Sequence, residues 1–580
     1  MRALAVRRAP LLRRMYVPVR FAHTPAKSDT DIVIVGGGVV GLAMLGGLVA
    51  NPALPPMKVA LVDTMDLSRF ASWQDQKKST TRAATAAHDG VQWENRVISM
   101  NMDNLAWMKQ IGADAYLDWS RMRTVERIRV WDGLSDAGAE FGPGPGPDGA
   151  LSSMVEISNV QQALYRLIQA RTAEPSCNVS VEILDKTRVA NITAPSQNAW
   201  PLLELERENE TRAIATRLLV GADGHNSPVR KFSSIESFGW PYHCKGLVAT
   251  LRTGIAPQSA EPLVDQSAWQ RFLPTGTLAF LPLSPSTGTI VWALPPPLAD
   301  ALGALHRHDA AQNEMPTLLA ALISAGFRLP WDALERLVYE AKDLAALPEP
   351  DVAAFRAAIL AEMVHAEQVL GERAPSAHLG TVPPLGDAVD VKSVASFPLQ
   401  LKHAGCYLGS TLNRNLHTSL PTPSALISGA LTALGLTPGG AARGEGQGRT
   451  VLVGDAAHTT HPLSGQGLNL GIQDVRALND TLAAAAADGM DIGTDSALRP
   501  YEAARYLPNQ AMLSVTDHLH WLFATRPASP YTEHGGLAQS VRQAALQALV
   551  WARSTGLDVV NELGPLKQVL LQGAGSTKRM

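Results

Sequence analysis

From Ile32 to Ala50 the chain carries no charged residue, yet four glycines interrupt the run just where a strand would turn into a helix. A stretch of this length approaches what a membrane-spanning helix needs. Gly36, Gly37, Gly38 and Gly41 make that reading poor, and a buried βα unit accounts for the pattern better. Residues 31–35 predict a short parallel strand, a continuous apolar run without alternation after its first residue. Residues 41–49 predict a buried helix, and residues 58–62 a second strand that ends at Asp63. Gly36-Gly37-Gly38-Val39-Val40-Gly41 is therefore a G-x-G-x-x-G motif in strand–turn–helix context. Gly36 permits the tight turn, Gly38 lets backbone approach a pyrophosphate, and Gly41 allows close packing of helix on strand. The free N–H groups and dipole at the helix start suit phosphate. Asp63 stands at about the spacing of a ribose-binding carboxylate. A merely tight structural turn is the competing reading, and strand, helix and carboxylate together favour dinucleotide binding.

Two features of composition narrow the setting. The formal net charge of −3 argues against a general nucleic-acid binder, which needs a basic surface. Cys177, Cys244 and Cys406 are odd in number and widely spaced, so they form neither a disulfide framework nor a paired metal motif and fit a reducing compartment. Residues 1–28 differ from the rest: Arg2, Arg7, Arg8, Arg13, Arg14 and Arg20 stand among small and apolar residues, with no acidic residue before Asp29. That is the pattern of a mitochondrial transit peptide. A disordered basic tail is the alternative, and a secretory signal lacks its long apolar core here.

Further along, residues 71–93 form a polar stretch expected to be a loop, and residues 127–131 a strand in a new region. Alternating Gly and Pro make 142–149 a loop. Residues 155–170 predict a helix. Residues 218–220 predict a short strand leading into Gly221-Ala222-Asp223-Gly224. From 242 to 294 the pattern is strand-rich, with runs at 247–251, 278–281 and 289–294. Residues 300–380 are Ala/Leu-rich and mostly helical in pattern, 409–448 reads as a loop insertion, and 450–453 as another buried strand. No internal repeat is visible.

Two later segments echo the first. Gly221-Ala222-Asp223-Gly224-His225-Asn226-Ser227-Pro228-Val229-Arg230 is a strand running into an acid–glycine turn, with a helix starting near Ser227. A helix cap made by Asp223 or Ser227 explains it as well as a cofactor does, and the two are compatible. Gly454-Asp455-Ala456-Ala457-His458 continues to Pro462, Gly465, Gly467, Leu468 and Asn469. Asp455 at a strand end can accept hydrogen bonds from a polyol such as a ribityl chain. The glycine turn bares N–H groups at the start of a helix through Ile472, Val475 and Leu478, and these favour negative charge on a reduced flavin ring. By itself this segment is equally an ordinary strand–turn–helix. His458 and His461 invite a metal or general-base reading, but no further His or Cys stands at ligand spacing, so no metal is expected.

Together the three segments resemble the glycine, Asp-Gly and Gly-Asp motifs of the aromatic flavoprotein monooxygenases of the p-hydroxybenzoate hydroxylase type. Through much of its length the chain also resembles the coenzyme Q biosynthesis monooxygenases of mitochondria and their bacterial relatives. That likeness runs through Asn95-Arg96-Val97-Ile98-Ser99, Val130-Trp131-Asp132, Val155-Glu156-Ile157-Ser158-Asn159 and Gly239-Trp240-Pro241-Tyr242. It continues in Trp269-Gln270-Arg271-Phe272-Leu273-Pro274, Ser396-Phe397-Pro398-Leu399 and Gly564-Pro565-Leu566-Lys567. Residues 300–380 and 409–448 match weakly.

The resemblance implies an α/β fold: a Rossmann-like FAD-binding domain built from discontinuous segments, an inserted strand-rich substrate domain and a helical C-terminal region. The expected division gives 29–126, 151–235 and 449–500 to the FAD domain, and 127–150 and 236–448 to the substrate domain. Residues 501–580 form the helical region behind the transit peptide at 1–28. By the same likeness FAD is the cofactor, Arg96 contacts its pyrophosphate and Gln161 lies beside it. Asp223 organises the flavin and any reductant, Asp455 binds the ribityl chain, and Pro462, Gly467, Leu468 and Asn469 line the isoalloxazine ring. The implied activity is hydroxylation, at C5, of a polyprenylated 4-hydroxybenzoate intermediate of ubiquinone biosynthesis through a flavin hydroperoxide, with O2 as co-substrate. The sequence offers no catalytic base for it. The resemblance to the mitochondrial members implies ferredoxin and its reductase as electron source, whereas the wider group uses NAD(P)H directly; no second G-x-G-x-x-G unit for NADPH is evident, and the wider group also lacks one. Other coenzyme Q biosynthesis proteins and the matrix side of the inner membrane, held peripherally, are the implied surroundings. A flavin-dependent reductase or oxidase of a lipid, and a flavin-holding scaffold, are the competing functions.

Overall fold

The structure is a computed structural model. It describes residues 27–73, 93–135, 137–144, 149–196, 198–208, 210–253, 266–309, 315–370, 382–409, 447–461, 465–524 and 548–556. The arginine-rich segment 1–26, most of the polar stretch 71–93, most of the insertion 409–448, Pro462 and residues 564–567 lie outside the described residues.

The apolar run and its glycines form the centre of an eight-stranded sheet. Strand Lys27–Val35 pairs in parallel with Met57–Val62 on one side and with Glu210–Gly221 on the other. Beyond these lie Val179–Leu184 and Thr450–Leu452, both parallel as well. Strands Leu202–Arg207 and Arg188–Thr193 extend Glu210–Gly221 as an antiparallel side branch, and Leu408–Gly409 closes the far edge. Helices Val39–Val49, Ile157–Thr172 and Gly467–Ala487 cover the sheet through Leu42, Leu45, Leu164, Leu167, Val475 and Leu478, all buried. Glycines allow the close crossing of the first and last of these. A side chain at Gly47 would meet Asn479 Nδ2 at 2.5 Å, and one at Gly471 would meet Val40 Cγ2 at 2.8 Å.

A second sheet of nine strands runs in the order His458–Thr459, Ala395–Ala404, Ser237–Thr253, Thr287–Leu294, Gly276–Ser284, Ser267–Leu273, Arg127–Asp132 and Gly138–Phe141, with Gly386–Val389 on the third of these. Four helices, Pro296–Asp309, Leu318–Arg328, Trp331–Ala345 and Val352–Leu370, bury Trp131, Trp269, Phe280 and Trp292 against it. A small sheet of Val97–Asn101, Ser152–Glu156 and Met122–Val125 stands beside both. Helix Asp495–Ala524 follows the last element of the first sheet. The fold class implied by the resemblance is the one observed: a parallel dinucleotide-type sheet assembled from separate segments, a strand-rich second sheet, and a helical C-terminal region.

Several boundaries differ from the expected ones. The helix expected from 155 begins at Ile157, because Ser152–Glu156 is a fully buried strand between two partners. The short strand at 218–220 is the end of a twelve-residue strand, whose first half alternates too weakly to be read from pattern. Ser267–Leu273 falls in the stretch 242–294 expected to be strand-rich, but not in one of the runs named within it.

Candidate functional site

Register decides where the motifs meet. Val35 is level with Val62 and with Gly221, and Gly221 is level with Leu452. The four strands therefore end flush, and the residues after them, Gly36, Asp63, Asp223 and Asp455, emerge at one carboxyl edge. In open parallel sheets that edge is where ligands bind.

At this edge the glycine loop has its expected form. Gly36 has φ of +109°, and a Cβ there would fall 2.2 Å from the Ala222 carbonyl oxygen. A Cβ on Gly41 would fall 1.8 Å from the Gly36 carbonyl oxygen. Gly38 is different: a Cβ there would meet nothing within 4 Å, so open space adjoins the backbone where the helix starts. That helix has no side-chain cap and no acidic residue in its first turn, leaving its first N–H groups for a ligand. Asp63 braces the loop, accepting from Gly37 N at 2.5 Å and from Met65 N at 2.6 Å.

In the second segment both capping alternatives are realised together. Asp223 Oδ2 accepts from Val229 N at 3.1 Å, and Ser227 Oγ accepts from Arg230 N at 2.9 Å. Asp223 Oδ1 is buried with no partner among the described residues, and burial pushes the carboxyl pKa up against those hydrogen bonds. Arg230 ties this segment to the third, donating to the Ala456 and His225 carbonyls at 2.6 Å each. Asp455 keeps its side chain open on one side. The surrounding protein nevertheless dehydrates its carboxyl enough to raise the pKa, with His458 and His225 opposing.

The start of helix Gly467–Ala487 also lacks a side-chain cap. Gly467 and Leu468 are half-buried there, and Gly465 has φ of +60°. Asn469 is committed to the fold. Its Nδ2 donates to Ser99 O at 2.7 Å and Gly465 O at 3.2 Å, while its Oδ1 accepts from Asn101 N at 3.0 Å and Asn104 Nδ2 at 2.9 Å. Every polar site of that amide is used, so only its backbone is available to a ligand. Arg96 is exposed and has no hydrogen bond or ion pair from its side chain among the described residues. Its carbonyl accepts from Ile157 N at 2.9 Å, which sets it at the start of the helix bearing Gln161. Gln161 is 4% exposed, and its amide has no partner among the described residues.

Comparison with known proteins now has a site to refer to. The FAD binding domain model, FAD_binding_3, matches residues 441–516. The Saccharomyces cerevisiae protein named ubiquinone biosynthesis monooxygenase COQ6, mitochondrial, is 30% identical over 576 residues, 98% of each chain. The chain belongs to the COQ6 family of ubiquinone biosynthesis monooxygenases. The Homo sapiens member is 28% identical over 573 residues, covering 98% of this chain and 97% of its own. Among solved structures, p-nitrophenol 4-monooxygenase PnpA from Pseudomonas putida is similar at a TM-score of 0.53 and 13% identity, covering 95% of this chain and all of that one. The flavin-dependent halogenase CmlS follows at 0.51 and 12%, covering 94% and 76%. These likenesses share the fold.

The chain is thus an FAD-dependent monooxygenase, and its residues fit that cofactor. The space at Gly38, the unpartnered Asp223 oxygen, the open Asp455 carboxylate and two uncapped helix starts lie along the route from pyrophosphate to ring implied by the motifs.

Two clusters gather round His458 and His461, the only members that the sequence singles out as candidate ligands or bases. Behind the Gly454–His458 turn, Asp474 Oδ2 accepts from Gly454 N at 3.1 Å and lies 2.6 Å from His458 Nε2. Its Oδ1 accepts from Arg505 Nε at 2.9 Å and Asn509 Nδ2 at 2.8 Å. Burial alone would raise the Asp474 pKa, but His458, Arg505 and Asn509 outweigh it and hold it at about 2. On the other side, Tyr242 OH donates to Asp517 Oδ1 at 2.8 Å, and Trp240 Nε1 to the same oxygen at 3.2 Å. Cys244, His461 and His520 gather beside Tyr242. All of these depend on contacts between residues far apart in the chain.

Proposed function

We propose that this chain hydroxylates the aromatic ring, at C5, of a polyprenylated 4-hydroxybenzoate intermediate of ubiquinone biosynthesis. The single observation behind the reading is the near-complete match to COQ6 proteins. Bound FAD supplies the electron-transfer and oxygen-activating chemistry. The chain's own residues do the rest. Asp63 receives the ribose. The helix start beyond Gly38, with Arg96, holds the pyrophosphate by N–H groups and charge. Gln161 and Asp223 flank the cofactor, and Asp455 takes the ribityl hydroxyls. Pro462 and the Gly467–Asn469 segment line the ring, the latter with its backbone donors.

The second sheet and its covering helices supply walls that keep water from the reacting ring. A long isoprenoid tail needs an apolar channel and suits peripheral docking at the matrix face of the inner membrane. No helix among the described residues is long and apolar enough to cross a membrane. Ferredoxin and its reductase fit as electron source, and other coenzyme Q biosynthesis proteins as neighbours. The relatives' names support a mitochondrial home, to which the arginine-rich start of the chain would direct it.

The test is complementation of cells that lack the ring-hydroxylation step, fed labelled O2. Restored quinone with label on the ring is the expected result. FAD-loaded protein in mitochondria without restored quinone would overturn the substrate, and quinone restored without ring label would point to a lipid reductase or oxidase.

A further inference from the structure

Cys244, His461 and His520 belong to three different elements. Cys244 lies on strand Ser237–Thr253, His461 follows strand His458–Thr459, and His520 is near the end of helix Asp495–Ala524. One ligand atom from each, the thiol sulfur and a ring nitrogen of either histidine, lies within 4.8 Å of the others. All three residues are buried.

The meeting has a structural cause. Pairing of the Cys244 strand with Ala395–Ala404 jumps between Pro241 and Lys245, and His243 within the jump has φ of +55°. A bulge re-aims side chains. Here it turns Tyr242 and Cys244 inward and leaves Pro241 and His243 exposed. Tyr242 then packs edge-on against His461 at 4.8 Å and tilted against His520 at 4.4 Å, while Asp517 fixes its hydroxyl. The two imidazoles lie 4.7 Å apart between centroids. Around them are Leu399, Leu401, Leu470 and Leu513.

Two imidazole nitrogens and a sulfur held together in an apolar shell form a donor set suited to a borderline-soft cation. We propose that Cys244, His461 and His520 bind a thiophilic transition-metal ion, Zn²⁺ first among them, as a three-residue site. Coordination forms a metal–sulfur bond as the thiol loses its proton to solvent, and no electron changes hands. The ion joins the second sheet, the tail of the third flavin segment and the long C-terminal helix, so it acts as a staple across three elements. The site uses none of the residues assigned to FAD, although His461 directly precedes Pro462, and its test reads the metal and not the flavin.

The test uses the full-length, FAD-loaded chain, stripped of metal by a chelator and equilibrated with Zn²⁺ alone. Metal content after gel filtration and zinc-edge X-ray absorption are the readouts. One zinc per chain is expected, with a sulfur neighbour at about 2.3 Å and nitrogens at about 2.0–2.1 Å. Cys244→Ser and His520→Asn should each weaken zinc binding by about tenfold or more, while Cys406→Ser leaves it unchanged. Flavin absorbance reports whether each variant has folded, and if one has not, the sulfur neighbour in the unaltered chain still decides. Absence of bound zinc, zinc with only nitrogen and oxygen neighbours, or a sulfur neighbour that survives Cys244→Ser would each overturn the proposal.

Discussion

The three glycines of the first motif do different work, and substitution can separate them. Gly41→Ala puts a methyl group 1.8 Å from a carbonyl oxygen, so backbone must move. A loss above about 2 kcal/mol of stability is expected, with little flavin retained. Gly38→Ala enters open space at an ordinary φ of −66°. Its unfolding free energy in urea should shift by no more than about 0.5 kcal/mol, while the FAD dissociation constant rises about tenfold if the methyl occupies the pyrophosphate's approach as proposed. Denaturation of the apoprotein and flavin-fluorescence titration measure the two quantities, and equal loss of stability in both variants would contradict the distinction.

Asp474 gives a second prediction at this scale. Its pKa falls from an ordinary 3.8 to about 2 in the folded chain. A depressed carboxyl contributes stability that is complete above the unfolded value and is lost as pH drops through the folded one. The unaltered chain should therefore lose stability between about pH 4 and about pH 2, and Asp474→Asn should be less stable at neutral pH and flatter across that window. Urea midpoints measured across the range check the sign.

Among elements, Asn469 fastens the start of helix Gly467–Ala487 to strand Val97–Asn101 and helix Met102–Ile111. Asn469→Ala leaves several buried polar groups unpaired and should cost about 2–4 kcal/mol. Faster hydrogen exchange at residues 97–104 and quicker flavin release are the expected signatures. If exchange there is unchanged, Asn469 is not the fastener. Elements of this kind were only half legible. The βα unit at Lys27–Val49 was readable because a buried parallel strand and a glycine turn leave a continuous, local pattern. Strand Ser237–Thr253 was read only over 247–251, where the apolar residues are continuous, and the inward turn of Cys244 just before that run was missed. Positions of Asp63, Asp223 and Asp455 were legible as motif residues. That Asn469 is saturated by Ser99, Asn101, Asn104 and Gly465 was not, because pairing across such distances leaves no local trace.

For the whole molecule, a cofactor held as proposed, by residues from 36 to 469, should act as a strut. Addition of FAD at about 100 times its dissociation constant should stabilise the chain by about 2.7 kcal/mol, and protease resistance should rise in both sheets. Protection confined to the parallel sheet would mean that the two sheets open independently.

The flush sheet edge also bears on how the chain is made. Strand Lys27–Val35 is among the first structured segments to be synthesised, whereas Thr450–Leu452 and helix Gly467–Ala487 come very late. A nascent polypeptide still lacking them has the glycine loop but neither the opposite wall nor the second helix start. On the proposed assignments, the flavin site is complete only once strand Thr450–Leu452 and the start of helix Gly467–Ala487 have been added to the segments made before them.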